Sequence, residues 1–504
     1  MVITSVKFLI FVAISLIVYF KLPTRFQWVL LLADSLFFYF INTKATTFLY
    51  LIVAVLVTYG AALSFEKTKS GTKKKLVLIF AILVNAGILA ILKYTNLLVG
   101  TVNFFTKEDT LKIVHWIAPL AISFYTLQLL SYLCDCYWGS LRPEKNPLKL
   151  LLFTMYFPLM VSGPISRYRD LGKKLFEEHR FDYDRVTAGL RRFAWGMAKK
   201  VVVADRLSIP IDHMFHNPDV YKGAWVWLAV LSYSMQLYFD FSGCMDMIMG
   251  ISECFGITLV ENFKAPFFSS TLKEFWQRWH ATLGQWLNDY ILYPLMKTKP
   301  LSKLTVKCKE RFGKGGRKYA SYPALFVLWS AMGLWHGDSW KYICGEGWWY
   351  FLVIIIGMTF EDVFAKWKKA LHIKNDHPLW RAFQMARTYV FFSIGMLFFR
   401  ADSLPVSFTL IKNSFMRADN YAAFVSLRSD GPWEEFGTYI GLLTVVVFIV
   451  LQTVVDYRIY HRLPVQELVT KKPLIIRWAL YIGLVFAIAA LGAYGQSSFI
   501  YFGF

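Results

Sequence analysis

Charge is what this 504-residue chain has little of. Only 17% of its residues are charged and 56% are apolar, against about 25% and about 45–50% in an ordinary soluble domain. Acids are scarcer than bases, with 33 Asp and Glu against 55 Lys and Arg. Cysteine is sparse too. Of the six, Cys134 and Cys136 form a CxC pair, while Cys244, Cys254, Cys308 and Cys344 are scattered. Their spacing spells neither a disulfide framework nor a zinc site, so buried free thiols are expected for most of them. No Walker-type phosphate loop, HExxH or GxSxG occurs, and no internal repeat, low-complexity tract or interdomain linker is visible. These absences exclude a secreted disulfide scaffold, a disordered chain and an ordinary cytosolic enzyme.

What is present is apolar surface that must face something other than water. Stretches long enough to cross about 30 Å of hydrocarbon recur from end to end, near 5–21, 26–41, 46–64, 75–93, 113–133, 148–162, 223–240, 322–343, 346–361, 383–399, 436–455 and 474–494. The first lacks a small-x-small cleavage site and another follows at once, so it reads as a retained helix. Aromatics make up 18% of the chain, as expected where Trp and Tyr collect at bilayer interfaces. The fold class is all-α: a polytopic membrane helical bundle, residues 1–504 forming one multi-pass domain, with membrane lipid as its first partner.

The formal net charge of +22 has a topological cause. Cations gather in blocks between apolar runs, at Lys67–Lys75, Lys297–Lys318, AKWKKALHIK and Arg458–Lys472, which marks those connections as cytoplasmic. With the charge placed there and no recognition motif, nucleic acid is not expected as a partner. Candidate outer loops are Thr106–Thr110, Ile209–Gly223 and Arg417–Gly437. Between Gly163 and Asp289 the pattern is too polar for simple spans. Arg192, Trp195, Met197 and Lys199 suggest an interfacial amphipathic helix, and broken polar segments at membrane depth suggest a cavity. Asp240 and Asp246 either line that cavity or bond neighbouring backbone.

Of nine histidines, His179, His213, His216, His372, His377 and His461 fall in expected loops and His115 heads a span. His280 and His336 lie in apolar or aromatic surroundings, where an ionisable side chain is a functional hypothesis by default. KEFWQRWHATLGQWLNDY reads as one amphipathic helix. It would carry Trp276, Leu283, Gly284 and Leu287 on the side of His280 and Asp289 on the other. Gly284 would leave room beside the imidazole, and Glu274 with Arg278 form a stabilising i,i+4 pair. A structural histidine bonded to a backbone carbonyl is the alternative for His280. His336 follows an apolar run and has Gly333 and Gly337 on either side, so a substrate or another backbone can approach the ring. Trp335 and Trp340 would wall a passage or anchor the helix. Cys344 as an acyl acceptor is the weaker reading, a small buried residue being the commoner use.

Several segments in order resemble the membrane-bound O-acyltransferases, and within them the bacterial alginate O-acetyltransferase group. They are PLAISFYTLQLLSYLCDCYWG, FPLMVSGPISRY, LYFDFSGCMDMIMGISECFGI, ENFKAPFFSSTLKEFWQRWHATLGQWLNDYILYPL, GLWHGDSW and the terminal SSFIYFGF. The resemblance covers most of 118–344 plus the end. It implies a funnel-shaped helical core with a thin centre, a tunnel, and short re-entrant or interfacial helices. It makes His336 of WHG the catalytic residue and His280 of RWH the second signature. Trp276, Trp279, Gly284, Asn288, Asp289, Gly333, Trp335 and Gly337 are the expected tunnel positions. Asn288-Asp289-Tyr290 departs from the family's Arg-Asp-Tyr, and Leu295-Met296-Lys297 from its Leu-Gly-Gly.

The implied activity is acetyl transfer in the bacterial cell membrane, from a cytosolic thioester to a hydroxyl, for O-acetylation of an extracellular or cell-wall polysaccharide. Acetyl-CoA or another acyl thioester is the expected co-substrate, with no tightly bound cofactor and no metal. A secreted or membrane-anchored SGNH-hydrolase-like acyltransferase is the implied partner, and polysaccharide the final acceptor. D-alanyl transfer to teichoic acid is the alternative within the superfamily; a non-enzymatic polymer or lipid transporter is the alternative outside it.

Overall fold

The computed structural model describes all residues except 108–109, 430, 496–498 and 501–504. The terminal SSFIYFGF therefore lies largely outside the described residues. Among those described, secondary structure is entirely helical. Local chemistry sets the helix starts. Ser5 caps Val6–Lys21 through Phe8 N, Ser70 caps Gly71–Thr106 through Lys73 N, and Asn146 caps Pro147–Met155 with proline at the first position. Each side-chain oxygen takes one of the N–H groups a helix start leaves without a partner.

Seven described helical stretches are long and apolar enough to cross a membrane: Thr24–Asn42, Ala45–Lys67, Gly71–Thr106, Trp340–Thr359, Pro378–Arg400, Thr438–Tyr460 and Leu474–Leu491. Their outward faces suit lipid. On Leu474–Leu491, Ile475, Ile482, Val485 and Phe486 are all exposed, which water would penalise and hydrocarbon does not. The other five expected spans are shorter or more polar. Val6–Lys21 has only 16 residues, and residues 113–121 are not helical, so the next helix starts at Ile122. The 148–162 stretch breaks at Tyr156, ahead of Pro158. Ala224–Cys254 carries Asp240, Asp246 and Glu253, and the 322–343 stretch stops being helical at His336.

The chain divides into two compact units. The first contains Met1–Met197 and Cys244–Glu261. Within it Gly189 and Gly250 make a tight helix crossing: a Cβ on either would lie 2.5 Å from the other's carbonyl oxygen. Beside the crossing, Arg192 donates to Asp246 at 2.9 Å and to both oxygens of Glu261 at 2.8 Å. Arg192 thus spends its donors on two protein carboxylates, while it, Trp195 and Met197 stay half-buried, as an interfacial amphipathic helix requires. His179 lies in a loop, as expected, and is buried there: its Nδ1 lies 2.9 Å from the Tyr19 hydroxyl and its carbonyl accepts from Gln27. Burial lowers its pKa below the ordinary histidine value, with the Arg185 charge acting in the same direction.

The second unit contains Ala198–Gly243 and Asn262–Ile500. Lys199, expected at the interface, is buried and donates to Ser242 Oγ at 3.0 Å. Its neighbour Lys200 bridges Asp205 and Asp240, both at 2.7 Å. Asp240 also accepts the Ile500 N–H at 3.0 Å. The expected outer loop from Ile209 is helical as far as His216. None of the six cysteines is in a disulfide; Cys136, Cys244 and Cys254 are buried and the other three half-buried.

The Gly189–Gly250 crossing gives a direct test. Gly189→Val should destabilise the protein by about 1–3 kcal/mol through overpacking, seen as a lower melting temperature in detergent.

Candidate active site

The helix expected through RWH does not form as one piece. Leu272–Arg278 ends, Trp279 is extended, His280 adopts the left-handed conformation (φ 46°, ψ 47°), and the helix resumes at Ala281. A segment from elsewhere in the second unit imposes the break. Asn262 O accepts the Ala281 N–H at 3.0 Å, and Lys264 N–H donates to Arg278 O at 2.9 Å. Asn262 Oδ1 accepts from both Thr282 N (3.1 Å) and Thr282 Oγ1 (2.9 Å). The same side-chain amide lies against His280 Nδ1, with Nδ2 at 3.1 Å. The expected common face of His280 with Trp276, Leu283, Gly284 and Leu287 is thus corrected, since that pattern needs an unbroken 3.6-residue repeat. The Glu274–Arg278 pair is present at 2.9 Å.

His280 is buried against Phe241, with ring centroids 4.9 Å apart, and Trp335 at 5.3 Å. His336 is equally buried and is the last residue of Tyr322–His336. Its ring also contacts Trp335, at 5.0 Å, and Phe399, at 5.9 Å. One indole therefore touches both imidazoles. His336 Nδ1 lies 2.9 Å from the carbonyl oxygen of Met332, one turn back. A carbonyl only accepts, so in neutral His336 the proton sits on Nδ1 and the lone pair on Nε2.

The glycines flanking His336 accommodate this chain's own atoms, backbone at Gly333 and a side chain at Gly337. A Cβ on Gly333 would lie 2.7 Å from Ile343 Cα and 2.8 Å from Tyr342 O, and one on Gly347 would lie 2.7 Å from Trp329 O. A Cβ on Gly337 would collide with the Tyr342 ring. At Gly333 a backbone does make the close approach that its lack of a side chain permits. Trp279 is packed among Tyr238, Phe241, Phe263, Phe267, Phe275 and Phe392. Trp276 contacts Trp329 and Tyr350. Gly284 lies near the Trp276 carbonyl. Asn288 and Asp289 open a half-buried π-helical turn, Asn288–Leu292, packed against the helix of His336.

Sequence reasoning missed Asn262, Phe241 and Phe399, whose partners lie 18 to 63 residues away. It also missed Glu346, the one acid between Tyr342 and Thr359, for which a signal existed: a lone carboxyl in an apolar run.

Residues 142–307 match the model of the membrane-bound O-acyltransferase family. That stretch contains Asn262 and His280 and ends before His336. A probable alginate O-acetylase of Pseudomonas syringae is 32% identical over 410 residues, covering 80% of this chain and 73% of that protein. A peptidoglycan O-acetyltransferase of Helicobacter pylori is 29% identical over 410 residues, covering 76% and 72%. A teichoic acid D-alanyltransferase of Bacillus subtilis is 30% identical over 260 residues, covering 50% and 61%.

Asn262→Ala should cost about 1–3 kcal/mol, because it removes the Oδ1 acceptor shared by the buried Thr282 hydroxyl and N–H. Thermal unfolding in detergent reads the loss. Asn262→Asp, which keeps an acceptor for Thr282, should recover part of it.

Proposed function

This chain belongs to the membrane-bound O-acyltransferase family, and from that premise we propose that it moves an acetyl group from a cytosolic thioester, acetyl-CoA in the first instance, toward a hydroxyl of an extracellular or cell-wall polysaccharide. The chain is a multi-pass membrane O-acyltransferase; the acetyl group, its donor and its acceptor are the proposal. The observation that carries it is the Nδ1–Met332 hydrogen bond of His336. A base must present a lone pair to the proton it removes, and this bond assigns the lone pair to Nε2.

The acceptor hydroxyl gives its proton to His336 Nε2 while its oxygen attacks the thioester carbonyl. The tetrahedral intermediate collapses with loss of the thiolate, which recovers the proton from the imidazolium. Charge grows on the former carbonyl oxygen along the way. His280 is assigned to stabilise that oxygen or to orient the donor, since a preorganised donor in a water-poor site stabilises developing charge strongly. The cationic stretch Lys297–Lys318 draws in the anionic donor by its field. A passage through the helical core would let donor and acceptor meet from opposite sides, and an SGNH-hydrolase-like partner outside the membrane would complete transfer to the polymer.

The relatives named for acetyl transfer to alginate and to peptidoglycan support this reading, because they align over three quarters or more of the chain. D-alanyl transfer from a carrier-protein thioester is the second reading, favoured by the Bacillus subtilis relative, whose alignment spans half of it. Donor consumption separates them. Purified protein should turn over labelled acetyl-CoA; turnover of a D-alanyl carrier thioester with acetyl-CoA untouched would reverse the choice.

His336→Ala should lower turnover by about 10²–10⁴-fold, the usual contribution of a general base. Mass spectrometry of surface polysaccharide should then show acetyl esters at background, with normal membrane insertion. His280→Asn is the companion variant, because asparagine tolerates the left-handed backbone there. It should keep the melting temperature and lose turnover; unchanged turnover would reduce His280 to a structural role.

A further inference from the structure

Two buried polar groups near the histidines are used by neither the fold nor the mechanism. Glu346 is 1% exposed, and its Oε1 has no hydrogen-bond partner among the described residues. The indole Nε1–H of Trp276, a residue 8% exposed, has none either. One is an acceptor and the other a donor, and they do not bond each other. Leaving either unmade inside a protein is costly, and acids inside membrane-embedded segments are seldom kept without a use.

Both flank the helix of His336, in the second unit. Glu346 sits in the π-helical segment Ile343–Trp349, a geometry common at functional sites. This segment is laid against the helix of His336, with the position after Glu346 in contact with the carbonyl of Trp329. The Trp276 ring meets the Trp329 ring at 5.3 Å and that of Tyr350, one turn on from Glu346, at 4.9 Å. Trp276 itself lies four residues before His280 on the RWH side of the site.

An unused acceptor and an unused donor flanking one helix are the complement of a secondary amide, whose N–H donates and whose C=O accepts. Resting on the thioester-donor reading above, we propose that Glu346 and Trp276 bind an amide of the donor's pantetheine arm. The Glu346 carboxylate or carboxyl oxygen accepts the amide N–H, and the Trp276 indole N–H donates to the amide carbonyl. That arm carries two secondary amides that must be desolvated to enter an apolar protein, and a site that bonds them discriminates against thioesters lacking them. The arm is common to coenzyme A and to a carrier-bound prosthetic group, so the assignment holds for either source.

The test is binding by the full-length protein in detergent, using S-acetyl-pantetheine and the amide-free S-octyl thioacetate. Glu346→Leu and Trp276→Phe should each weaken S-acetyl-pantetheine about tenfold, the size of one buried hydrogen bond, and leave S-octyl thioacetate unchanged. Glu346→Gln, which keeps an acceptor, should stay within about threefold of wild type. Variants that bind S-acetyl-pantetheine as tightly as wild type overturn the proposal, and so do variants that lose both thioesters equally. Acetyl-CoA and an acetylated carrier protein, run alongside, distinguish the sources: the one bound by wild type should show the same tenfold loss. Wild-type protein that binds none of the arm-bearing thioesters overturns the donor reading together with this one. Normal wild-type binding that both variants leave intact overturns the amide assignment alone.

Discussion

The close backbone approach between Tyr322–His336 and Ile343–Trp349 is the constraint on which the site depends. It is possible only because Gly333 and Gly347 lack side chains where the two segments touch. The approach fixes the end of the first helix, and that end is His336. It also buries Glu346 and sets Tyr342 against Gly337. Widening the gap by one methyl group would move the imidazole, the indole of Trp335 and the carboxyl together, since packed interiors do not yield to added volume without displacing neighbours.

The aromatic surroundings follow from the same need. Phe241, Trp335 and Phe399 around the imidazoles exclude water and lower the local dielectric. In such a place a single hydrogen bond settles which nitrogen carries a proton, because competing solvent is absent. The Met332 carbonyl does this for His336, and the Asn262 amide occupies the same position for His280. The histidines thus differ in what orients them. One is set by its own helix and the other by a distant loop.

That difference explains what could be read from the sequence. Apolar runs such as 46–64, 383–399 and 474–494 became helices at nearly the expected places, because length and hydropathy are local properties. His336 at a helix end with glycine on both sides was equally local. The break at His280 was not. Its cause is Asn262, 18 residues earlier, and nothing in KEFWQRWHATLGQWLNDY competes with a helical pattern on its own. Lys199 proved buried, and the partners of Arg192 stayed hidden, for a related reason. A cation in an amphipathic pattern reads as exposed until the acids and hydroxyls that hold it are known, and Ser242, Asp246 and Glu261 lie 43 to 69 residues away.

The π-helical turns connect these points. Among the described residues they are Lys199–Ala204, Asn288–Leu292 and Ile343–Trp349, all in the second unit. A π-turn inserts one residue into a helix, loosening its hydrogen bonding and rotating every side chain beyond it. The geometry is maintained only where the rotation places something useful. In the first it aims Lys200 at Asp205 and Asp240, in the second it follows directly on the helix that resumes at Ala281, and in the third it holds Glu346 inward. An acid held inward at the expense of regular helix geometry, in a segment packed on the helix of His336, is hard to explain as packing, because glutamine, methionine or leucine would fill that volume with less desolvation. The backbone distortion and the buried carboxyl are each costly alone, and together they point to a polar group that the site must receive.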